Sequence, residues 1–362
     1  MVVGIIGGGQ LARMLALSGY PLGLDFIVLE PSDQACAGAV AEQLHGAYDD
    51  EILLAQLAER ADVVTYEFEN VPARALEFLA GKVDVYPPPQ ALATAQDRLF
   101  EKTMFRELGI NTPPFAAIDS LEGLRAAMTD IGYPAVMKTR RDGYDGKGQA
   151  VLRSEDDLLS GWQSIGEVPA LVEGFVQFDR EISVIAARSS SGEVKVYPLT
   201  ENVHREGMLS LSLAREGDAM QAKAEDIVSK LLRKLDYIGV IALELFHAGD
   251  ELLANEFAPR VHNSAHWTQD GAQTCQFENH LRAVLGLPLG DTAIRGEIAA
   301  MVNLVGELPT SEAVLSHPHA HLHLYGKEPR AGRKLGHINL SGCSTELMLK
   351  EAQSLRQLPG AH

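Results

Sequence analysis

Short apolar runs alternate with helical stretches along the first 95 or so residues of the chain. Runs of β-branched and aliphatic residues predict strands, and apolar residues three or four positions apart predict helices. The predicted strands are residues 2–6, 26–29, 63–66 and 83–86, and the predicted helices are residues 10–18, 52–60 and 73–80. This alternation is typical of βαβ units in a parallel sheet.

The predicted secondary structure changes after this unit. Three consecutive prolines at residues 87–89 predict a stiff linker, and a helix is predicted from about Asp97 to Leu108. From Pro113 onward, strands joined by glycine loops predominate, which is typical of an α+β fold. A longer helix is predicted over residues 219–235.

An apolar hairpin carries two glutamates. Residues 240–246 and 251–257 each have a strand pattern, and the Gly-Asp pair between them is a turn signal. A register centred on Asp250 would place Glu244 opposite Glu256, whereas a slip of one residue would separate them. Carboxylates among apolar residues cost several kcal/mol unless something compensates for them. Mg²⁺ is a common compensation, because it binds one or two carboxylates together with substrate phosphates.

The alternative interpretation of this hairpin is two solvated glutamates on its wet face. The neighbouring Asn255 and the Arg-Val-His-Asn-Ser run at residues 260–264 favour a functional site instead.

Composition limits the classes of function. The chain has 362 residues, 46% hydrophobic and 22% charged, which is typical of a globular protein of about two or three domains. A net charge of −18 argues against nucleic-acid and anionic-membrane partners. No signal peptide is evident, and no apolar run approaches the roughly 20 residues of a membrane span. The three cysteines are far apart, which favours free thiols in the cytoplasm over disulfides or a zinc site.

A glycine turn follows the first predicted strand. Residues 7–12 match the G-x-G-x-x-A fingerprint, and Glu30 ends the second strand. In a dinucleotide site, this turn would hold phosphate and the acid would bind a ribose. The same turn also serves mononucleotides and structural βα units, so the pattern alone leaves all three open.

A second glycine loop spans residues 139–149. It has no Ser or Thr after Lys147 and a strand follows it, so it is not a Walker A loop. Its glycines and cations, together with Lys138, are suited to cover a polyphosphate. The alternative is a basic solvated turn.

Three further segments are candidates for binding. Residues 171–176, followed by Glu181, have the pattern of a strand ending whose edge amides could bind an adenine ring. The histidines at 317, 319, 321 and 323 share one strand face but spread along it, which disfavours a metal site. The basic residues of segment 327–334 are accompanied by the single acid Glu328, which indicates a phosphate site.

In this order, the motifs resemble the ATP-grasp superfamily, and within it the family of 5-(carboxyamino)imidazole ribonucleotide synthases, also called the ATPase subunit of phosphoribosylaminoimidazole carboxylase. The resemblance covers nearly the whole chain. It rests on Gly-Gly-Gly-Gln-Leu-Ala-Arg-Met (7–14), Thr-Tyr-Glu-Phe-Glu-Asn-Val (65–71), Gln-Asp-Arg (96–98), Gly-Tyr-Asp-Gly-Lys-Gly-Gln (143–149), Glu-Asn-Val-His (201–204), Asn-Glu-Phe-Ala-Pro-Arg-Val-His-Asn-Ser (255–264), His-Trp-Thr (266–268) and Gly-Arg-Lys-Leu-Gly-His (332–337).

The resemblance implies a fold of mixed α/β and α+β class. It places an N-terminal Rossmann-like domain at residues 1–95, a small ATP-grasp lobe with the glycine loop at 96–185, a large lobe with the metal hairpin at 186–296, and a small C-terminal segment at 297–362. It also implies a cytoplasmic ligase of purine biosynthesis. In the implied reaction, ATP and bicarbonate form carboxyphosphate, which carboxylates 5-aminoimidazole ribonucleotide. Implied partners are a second copy in a homodimer and a downstream mutase.

The resemblance also assigns residue roles. Glu244 and Glu256 would bind Mg²⁺. The residues that would bind ATP are Arg98, Lys138, Gly143, Tyr144, Asp145, Gly146, Lys147, Gly148, Gln149, Glu173, Gly174, Phe175, Val176, Glu181, His204, Asn255 and Glu256. The residues that would act in catalysis are Asp145, Lys147, Arg260, His262, Asn263 and Lys334. The residues that would bind the ribonucleotide are Gln10, Leu11, Glu67, Lys327, Arg333 and Lys334.

Two positions depart from the family pattern: Ala265 replaces a glycine, which requires a negative φ, and Ser210 replaces an arginine. The nearest rival is the formate-dependent glycinamide ribonucleotide transformylase, whose segments differ at residues 144–146 and 262–264. A rival from another class is an NAD-dependent oxidoreductase, which rests only on the glycine turn and Glu30.

Overall fold

A parallel sheet forms the N-terminal unit of the computed structural model, which describes residues 1–141, 143 and 148–362. Its strands lie in the order β3-β2-β1-β4, with all neighbours parallel. The strands are β1 (Val2–Ile6), β2 (Asp25–Glu30), β3 (Glu42–His45) and β4 (Val63–Tyr66), and the helices are α1 (Gln10–Gly19), α2 (Glu51–Arg60), α3 (Ala73–Ala80) and α4 (Pro89–Ala95). The predicted βαβ domain is therefore present.

Two predictions for this unit were wrong in detail. The strand predicted at residues 83–86 is reduced to an isolated bridge between Val64 and Val85. The sheet instead gains β3, which was not predicted. This strand lies at the sheet edge, and its sequence is polar and largely exposed. The proline linker is also shorter than predicted, because Pro89 is the first residue of α4, a position that proline favours.

The small lobe is a four-stranded antiparallel sheet of order β5-β8-β6-β7. Its strands are β5 (Phe115–Ile118), β6 (Ala135–Thr139), β7 (Gln149–Leu152) and β8 (Ala170–Gly174), accompanied by α5 (Arg98–Glu107), α6 (Leu121–Ile131) and α7 (Asp157–Ser164). Helix α5 precedes this sheet but packs elsewhere: Met104 and Phe105 lie in the core of the large lobe, beside Phe257.

The large lobe and the C-terminal segment share one nine-stranded sheet, of order β14-β13-β9-β11-β12-β15-β17-β16 with β10 beside β9. Its strands are β9 (Arg180–Arg188), β10 (Val194–Val196), β11 (Thr200–Arg205), β12 (Met208–Arg215), β13 (Gly239–Ala248), β14 (Glu251–Ala258), β15 (Ile298–Val305), β16 (Ala320–Leu324) and β17 (Lys334–Leu340). The helices are α8 (Gln221–Lys234), α9 (Thr268–Gly271), α10 (Gln276–Val284), α11 (Ser311–Leu315) and α12 (Thr345–Leu355).

One apolar core joins the N-terminal unit to the large sheet. Leu15 of α1 and Phe26 of β2 belong to the same buried cluster as Trp267 and Phe277. A separate core lies under the opposite face of the sheet, where α8 packs. Within the described residues, no helix has the length and apolarity to cross a membrane.

Candidate active site

A cavity of about 640 Å³ opens between the N-terminal unit, the two lobes and the C-terminal strands. It collects most of the residues proposed from the sequence, although they are spread over more than 300 positions. Those lining it are Gln10, Leu11, Glu67, Arg98, Lys138, Gly143, Gln149, Phe175, Glu181, His204, Glu244, Asn255, Glu256, Arg260, His262, Asn263 and Lys334.

The remaining proposed residues divide into two groups. Tyr144, Asp145, Gly146 and Lys147 lie outside the described residues. Those that are described but do not line the cavity are Gly148, Glu173, Gly174, Val176, Lys327 and Arg333.

Glu244 and Glu256 lie opposite each other on β13 and β14, as the predicted register requires. The tight turn pairs Ala248 with Glu251, and an uninterrupted ladder from there would pair Glu244 with Asn255. A β-bulge at Asn255 adds one residue to β14 and restores the Glu244–Glu256 pair. It also lets Asn255 and Glu256 both line the cavity, although neighbouring side chains in a regular strand point to opposite faces.

The two carboxylates have different electrostatic surroundings. Burial and then the charge of Glu256 raise the pKa of Glu244 to about 7. Burial also acts on Glu256, but the Arg98 guanidinium 2.6 Å away outweighs it and lowers the pKa of Glu256. Two facing carboxylates with an amide oxygen beside them fit Mg²⁺, which prefers oxygen ligands and takes others from phosphates.

Lys138 is held by protein groups at the wall of the cavity. Its ammonium lies 2.8 Å from the Glu173 carboxylate and donates to Asn255 Oδ1 at 3.3 Å. Glu173 is almost fully buried and also pairs with the buried Lys102 at 2.9 Å. Burial raises the pKa of Glu173, but Lys102 and Lys138 outweigh it and lower the pKa to about 2. Glu173 therefore orients the ammonium group of Lys138.

Two of the amides at the end of β8, those of Gly174 and Phe175, already have backbone partners. β8 lies inside its sheet, between β5 and β6. The amides of Gly174 and Phe175 donate to the carbonyls of Pro114 and Pro134, at 2.9 and 3.1 Å. For these two amides the prediction was wrong, because the pattern of a strand ending does not show whether neighbouring backbone already pairs with it; adenine binding by residues 171–176 stays a prediction.

An ion pair and an aromatic pair lie farther along the cavity. His204 Nδ1 is 3.0 Å from the Glu181 carboxylate. Burial lowers the pKa of His204, but Glu181 outweighs it and the net shift is upward. Phe178 and Phe246, which the sequence did not single out, stack at 4.9 Å in the cavity wall.

The segment after β14 presents polar atoms without protein partners. Arg260 pairs with Glu69 at 2.8 Å, yet its Nε atom is buried and unpaired. Both side-chain polar atoms of Asn263 are also buried and unpaired. Because buried polar groups are normally hydrogen-bonded, these atoms point to a bound ligand.

His262 is neutral beside this group. Burial lowers its pKa well below the ordinary value, and the charges of Arg260 and Lys334 lower it further. Its Nδ1 is 2.8 Å from Ser264 Oγ, and its Nε2 is 3.6 Å from the Glu244 carboxylate.

The N-terminal glycine turn is filled by the protein's own carboxylates. Glu67 accepts hydrogen bonds from the amides of Gly9 and Ala12, the latter at 2.9 Å. Glu30 accepts from the amide of Gly8 at 2.9 Å. These groups occupy the anion position at the start of α1, so the turn does not offer a free phosphate site of the dinucleotide kind. Both carboxylate oxygens of Glu67 are engaged in this way.

The basic segment of the C-terminal part lies beside this turn. Lys327 donates to Gln10, and Lys334 lines the cavity. Arg333 donates to the carbonyl of Glu328 at 3.1 Å. Burial lowers the pKa of Lys327, the nearby carboxylate of Glu67 raises it, and Arg333 and Lys334 lower it. The cations therefore form one cluster.

The four histidines of segment 317–323 take different partners. His317 contacts Ser354, and His319 contacts Glu351 at 3.1 Å. His321 and His323 both face Asp270, at 3.6 and 2.7 Å. The contacts of His321 and His323 therefore join β16 to α9, whereas those of His317 and His319 lie within the C-terminal segment, on α12.

The two departures from the family pattern have structural explanations. Ala265 ends a short 3₁₀ turn and is not among the residues with positive φ, so it needs no glycine there. Ser210 is buried and donates to the carbonyl of His362, while the guanidinium of Arg356 donates to Ser210 Oγ at 3.3 Å. Arg356, which follows α12, therefore contacts the Ser210 hydroxyl.

The acidic and basic residues of α5 were only partly found from the sequence. Arg98 was identified, but Glu101, which also lines the cavity, and Lys102 were not. Their spacing of three and four residues from Arg98 places all three on one helix face, but the same spacing is ordinary for charged residues on a solvated helix. Glu69, the partner of Arg260, lies in the Thr-Tyr-Glu-Phe-Glu-Asn-Val motif at residues 65–71, which alone did not predict a role for it.

Three family models of known proteins match successive parts of the chain. Residues 1–96 match the ribonucleotide synthetase preATP-grasp domain, residues 103–277 the ATP-grasp domain, and residues 299–351 the phosphoribosylaminoimidazole carboxylase C-terminal domain. An N5-carboxyaminoimidazole ribonucleotide synthase from Pseudomonas aeruginosa is 52% identical over 340 residues, which cover 94% of each chain.

Solved structures agree with this result. The Thermus thermophilus N5-carboxyaminoimidazole ribonucleotide synthetase has a TM-score of 0.95 and 52% identity, covering 99% of each chain. The Aspergillus clavatus enzyme in complex with ADP and 5-aminoimidazole ribonucleotide has a TM-score of 0.90 and 31% identity, covering 98% of this chain and 96% of that one. The resemblance and the fold class predicted from the motifs are confirmed: the chain is an ATP-grasp ligase and belongs to the N5-carboxyaminoimidazole ribonucleotide synthase family.

Proposed function

We propose that this protein carboxylates 5-aminoimidazole ribonucleotide at the expense of ATP, with bicarbonate as the carbon source, in purine biosynthesis. The products would be 5-(carboxyamino)imidazole ribonucleotide, ADP and phosphate. The observation that carries the proposal is the cavity, which is lined by the Glu244–Glu256 pair and by Arg260 and Asn263, whose side chains have unpaired polar atoms. The Pseudomonas aeruginosa and Thermus thermophilus relatives, named as N5-carboxyaminoimidazole ribonucleotide synthase and synthetase, support this reaction.

ATP would lie between the lobes. Arg98, Lys138 and the loop at 143–149 would bind the phosphates, while Glu181, His204 and Phe175 would line the nucleoside side. Glu173 would act indirectly, by orienting Lys138. When bound by Glu244 and Glu256, Mg²⁺ would neutralise charge on the β- and γ-phosphates.

Bicarbonate and carboxyphosphate would lie beside the segment that follows β14. The free Nε of Arg260 and the amide of Asn263 offer donors for anionic oxygens. Nδ1 of neutral His262 accepts from the amide of Ser264 at 3.3 Å, so Nε2 carries the proton and can donate a hydrogen bond to an anionic oxygen. These groups would stabilise the transferring carboxylate by position and charge.

The ribonucleotide would lie against the N-terminal unit. Lys327, Arg333 and Lys334 would bind its phosphate, with Gln10 and Leu11 at the cavity wall. Glu67, with both oxygens engaged, would shape the start of α1. Asp145 and Lys147 are proposed near the reacting amine.

The wider setting of the enzyme is also a proposal. The free cysteines at positions 36, 275 and 343 suit a reducing cytoplasm. We further propose a homodimer, Mg²⁺ as the divalent cation, and transfer of the product to a downstream mutase. The domain boundaries at residues 95 and 296 are proposed in the same sense, whereas the boundary expected at residue 185 falls inside β9 (Arg180–Arg188).

The deciding experiment is ATP hydrolysis with and without 5-aminoimidazole ribonucleotide in ¹⁴C-bicarbonate buffer. We expect stimulation by the ribonucleotide and one labelled product per ADP. Stimulation by glycinamide ribonucleotide with formate would identify the rival ligase instead. Nicotinamide-fluorescence enhancement on binding NADH would support the oxidoreductase.

A further inference from the structure

The outer edge of β14 is bonded to two charged residues of α5. β14 is the last strand of its sheet, so the backbone groups on its outer side have no strand partner. Lys102 Nζ donates to the carbonyl of Ala254 at 3.0 Å. The amide of Phe257 donates to the Glu101 carboxylate at 2.6 Å. Because Glu101 and Lys102 are consecutive, one turn of α5 satisfies both groups.

These bonds lie on either side of the bulge. Outward amides of a regular strand recur at every second residue. Here the amides of Ala254 and Phe257 point outward, the former donating to the carbonyl of Asn111 at 2.8 Å, and they are three positions apart. The extra residue is the one that brings Glu256 opposite Glu244. The contacts from α5 therefore fix the backbone on both sides of the proposed metal ligand.

Burial of these charges is costly. Glu101 is 1% exposed and Lys102 is fully buried. Lys102 is compensated by Glu173, but the carboxyl group of Glu101 lies near that of Glu256, which disfavours the ionised form of Glu101. Burial and then the charge of Glu256 raise the pKa of Glu101 to about 8. Apolar packing would anchor the strand at a lower free-energy cost. It could not, however, form hydrogen bonds with the Ala254 carbonyl and the Phe257 amide at the edge of the sheet.

We propose that Glu101 and Lys102 are positioning residues that hold the bulge of β14, and with it Glu256, in register for a divalent cation. They act through the backbone of Ala254 and Phe257. The inference rests on the proposed function, because it takes Glu244 and Glu256 as the metal ligands.

The test compares Glu101→Met with Glu101→Gln, because glutamine keeps an oxygen that can accept from Phe257 and methionine does not. ADP affinity is measured by isothermal titration calorimetry in MgCl₂ and in EDTA. We expect Glu101→Met to weaken ADP binding at least ~10-fold in MgCl₂ and less than ~3-fold in EDTA. Glu101→Gln should stay within ~3-fold of the wild type in both buffers. The control is Glu107→Met, on the exposed side of the same helix, which should bind like the wild type.

Each other outcome has a defined meaning. Unchanged Mg²⁺-dependent binding in Glu101→Met, or equal loss in Glu101→Gln, would overturn the positioning role. If wild-type ADP binding gained nothing from Mg²⁺, the metal assignment in the proposed function would fail first, and the inference with it.

A second variant covers the case in which Glu101→Met does not fold. Lys102→Met removes the donor to Ala254, while Glu173 keeps Lys138 as its cationic partner. The Mg²⁺-specific loss should reappear in this variant. Wild-type Mg²⁺ dependence there would overturn the proposal.

Discussion

Arg98 lies 2.6 Å from the carboxylate of Glu256 and joins the first turn of α5 to the strand of the proposed metal site. The arginine keeps Glu256 ionised, since it lowers the pKa against the effect of burial. An ionised carboxylate is the form that binds a hard cation. Arg98 therefore prepares the ligand as well as lining the nucleotide cavity.

Glu256→Gln should abolish ribonucleotide-stimulated ATP hydrolysis while the fold survives. Loss of a charged ligand to the phosphate-bound cation should lower kcat/KM at least ~100-fold, or about 3 kcal/mol. Steady-state kinetics at saturating Mg²⁺ and circular dichroism would check this. Glu251→Gln, at the exposed start of the same strand, is the matched control and should retain activity. Near-normal turnover of Glu256→Gln would remove Glu256 from the metal site.

Arg333→Ala should weaken the ribonucleotide and leave ATP largely unaffected. Its guanidinium belongs to the cation cluster beside Gln10, whereas the proposed ATP residues lie between the lobes. We expect the apparent KM for 5-aminoimidazole ribonucleotide to rise at least ~10-fold, about 1.4 kcal/mol. The exposed Arg153 supplies the control variant, Arg153→Ala. A selective rise in the KM for ATP would show that the segment serves the other substrate.

His280 should make folding stability depend on pH. Its Nδ1 accepts from the amide of Val240 at 3.1 Å, so the neutral ring carries its proton on Nε2, 2.9 Å from Thr65 Oγ1 of the N-terminal unit. Burial lowers the pKa of His280 to about 4. Between this value and the ordinary value of about 6.5, the unfolded chain binds the extra proton, so stability is full above pH 6.5 and is lost as the pH falls toward 4.

Urea unfolding of the wild type and of His280→Gln at pH 7 and pH 5 would measure this effect. The histidine should account for about 2 kcal/mol of the wild-type loss between the two pH values, and the variant should lack that share. His45→Gln, at an exposed histidine, should change as the wild type does. Equal pH dependence in wild type and His280→Gln would contradict the assignment.

Glu173→Gln should destabilise the protein strongly, because it leaves the buried ammonium of Lys102 without its carboxylate. We expect the free energy of unfolding to fall by about 3 kcal/mol. Adding Lys102→Met should recover at least half of that loss. Denaturant titration of the two variants would test this, with Glu155→Gln at an exposed ion pair as the control, expected to cost less than about 1 kcal/mol.

The sequence predicted the parallel sheet and the Glu244–Glu256 pair because local periodicity carries both. It did not predict the bulge at Asn255, since the tight turn and the bulge shift the register by compensating amounts. The predicted register was therefore right at the glutamates and one residue off near the turn.

Other features depend on tertiary contacts that no local pattern records. β3 was missed because an edge strand needs no apolar run. Glu101 and Lys102 have the sequence of an ordinary solvated helix face, and only the docking of α5 on β14 buries them. The strand pattern could not show that the amides of Gly174 and Phe175 are bonded, because their partners, Pro114 and Pro134, come from other segments.

The sheet shared by the large lobe and the C-terminal segment limits how the protein can be recombined. β12 pairs with β15 over five residues, from Leu211–Val302 to Arg215–Ile298, so a cut near residue 297 would leave an open strand edge. Such edges recruit other chains and promote aggregation. Chimeras that exchange the C-terminal segment between ligases should therefore move the whole sheet, because β15–β17 do not constitute a separable unit.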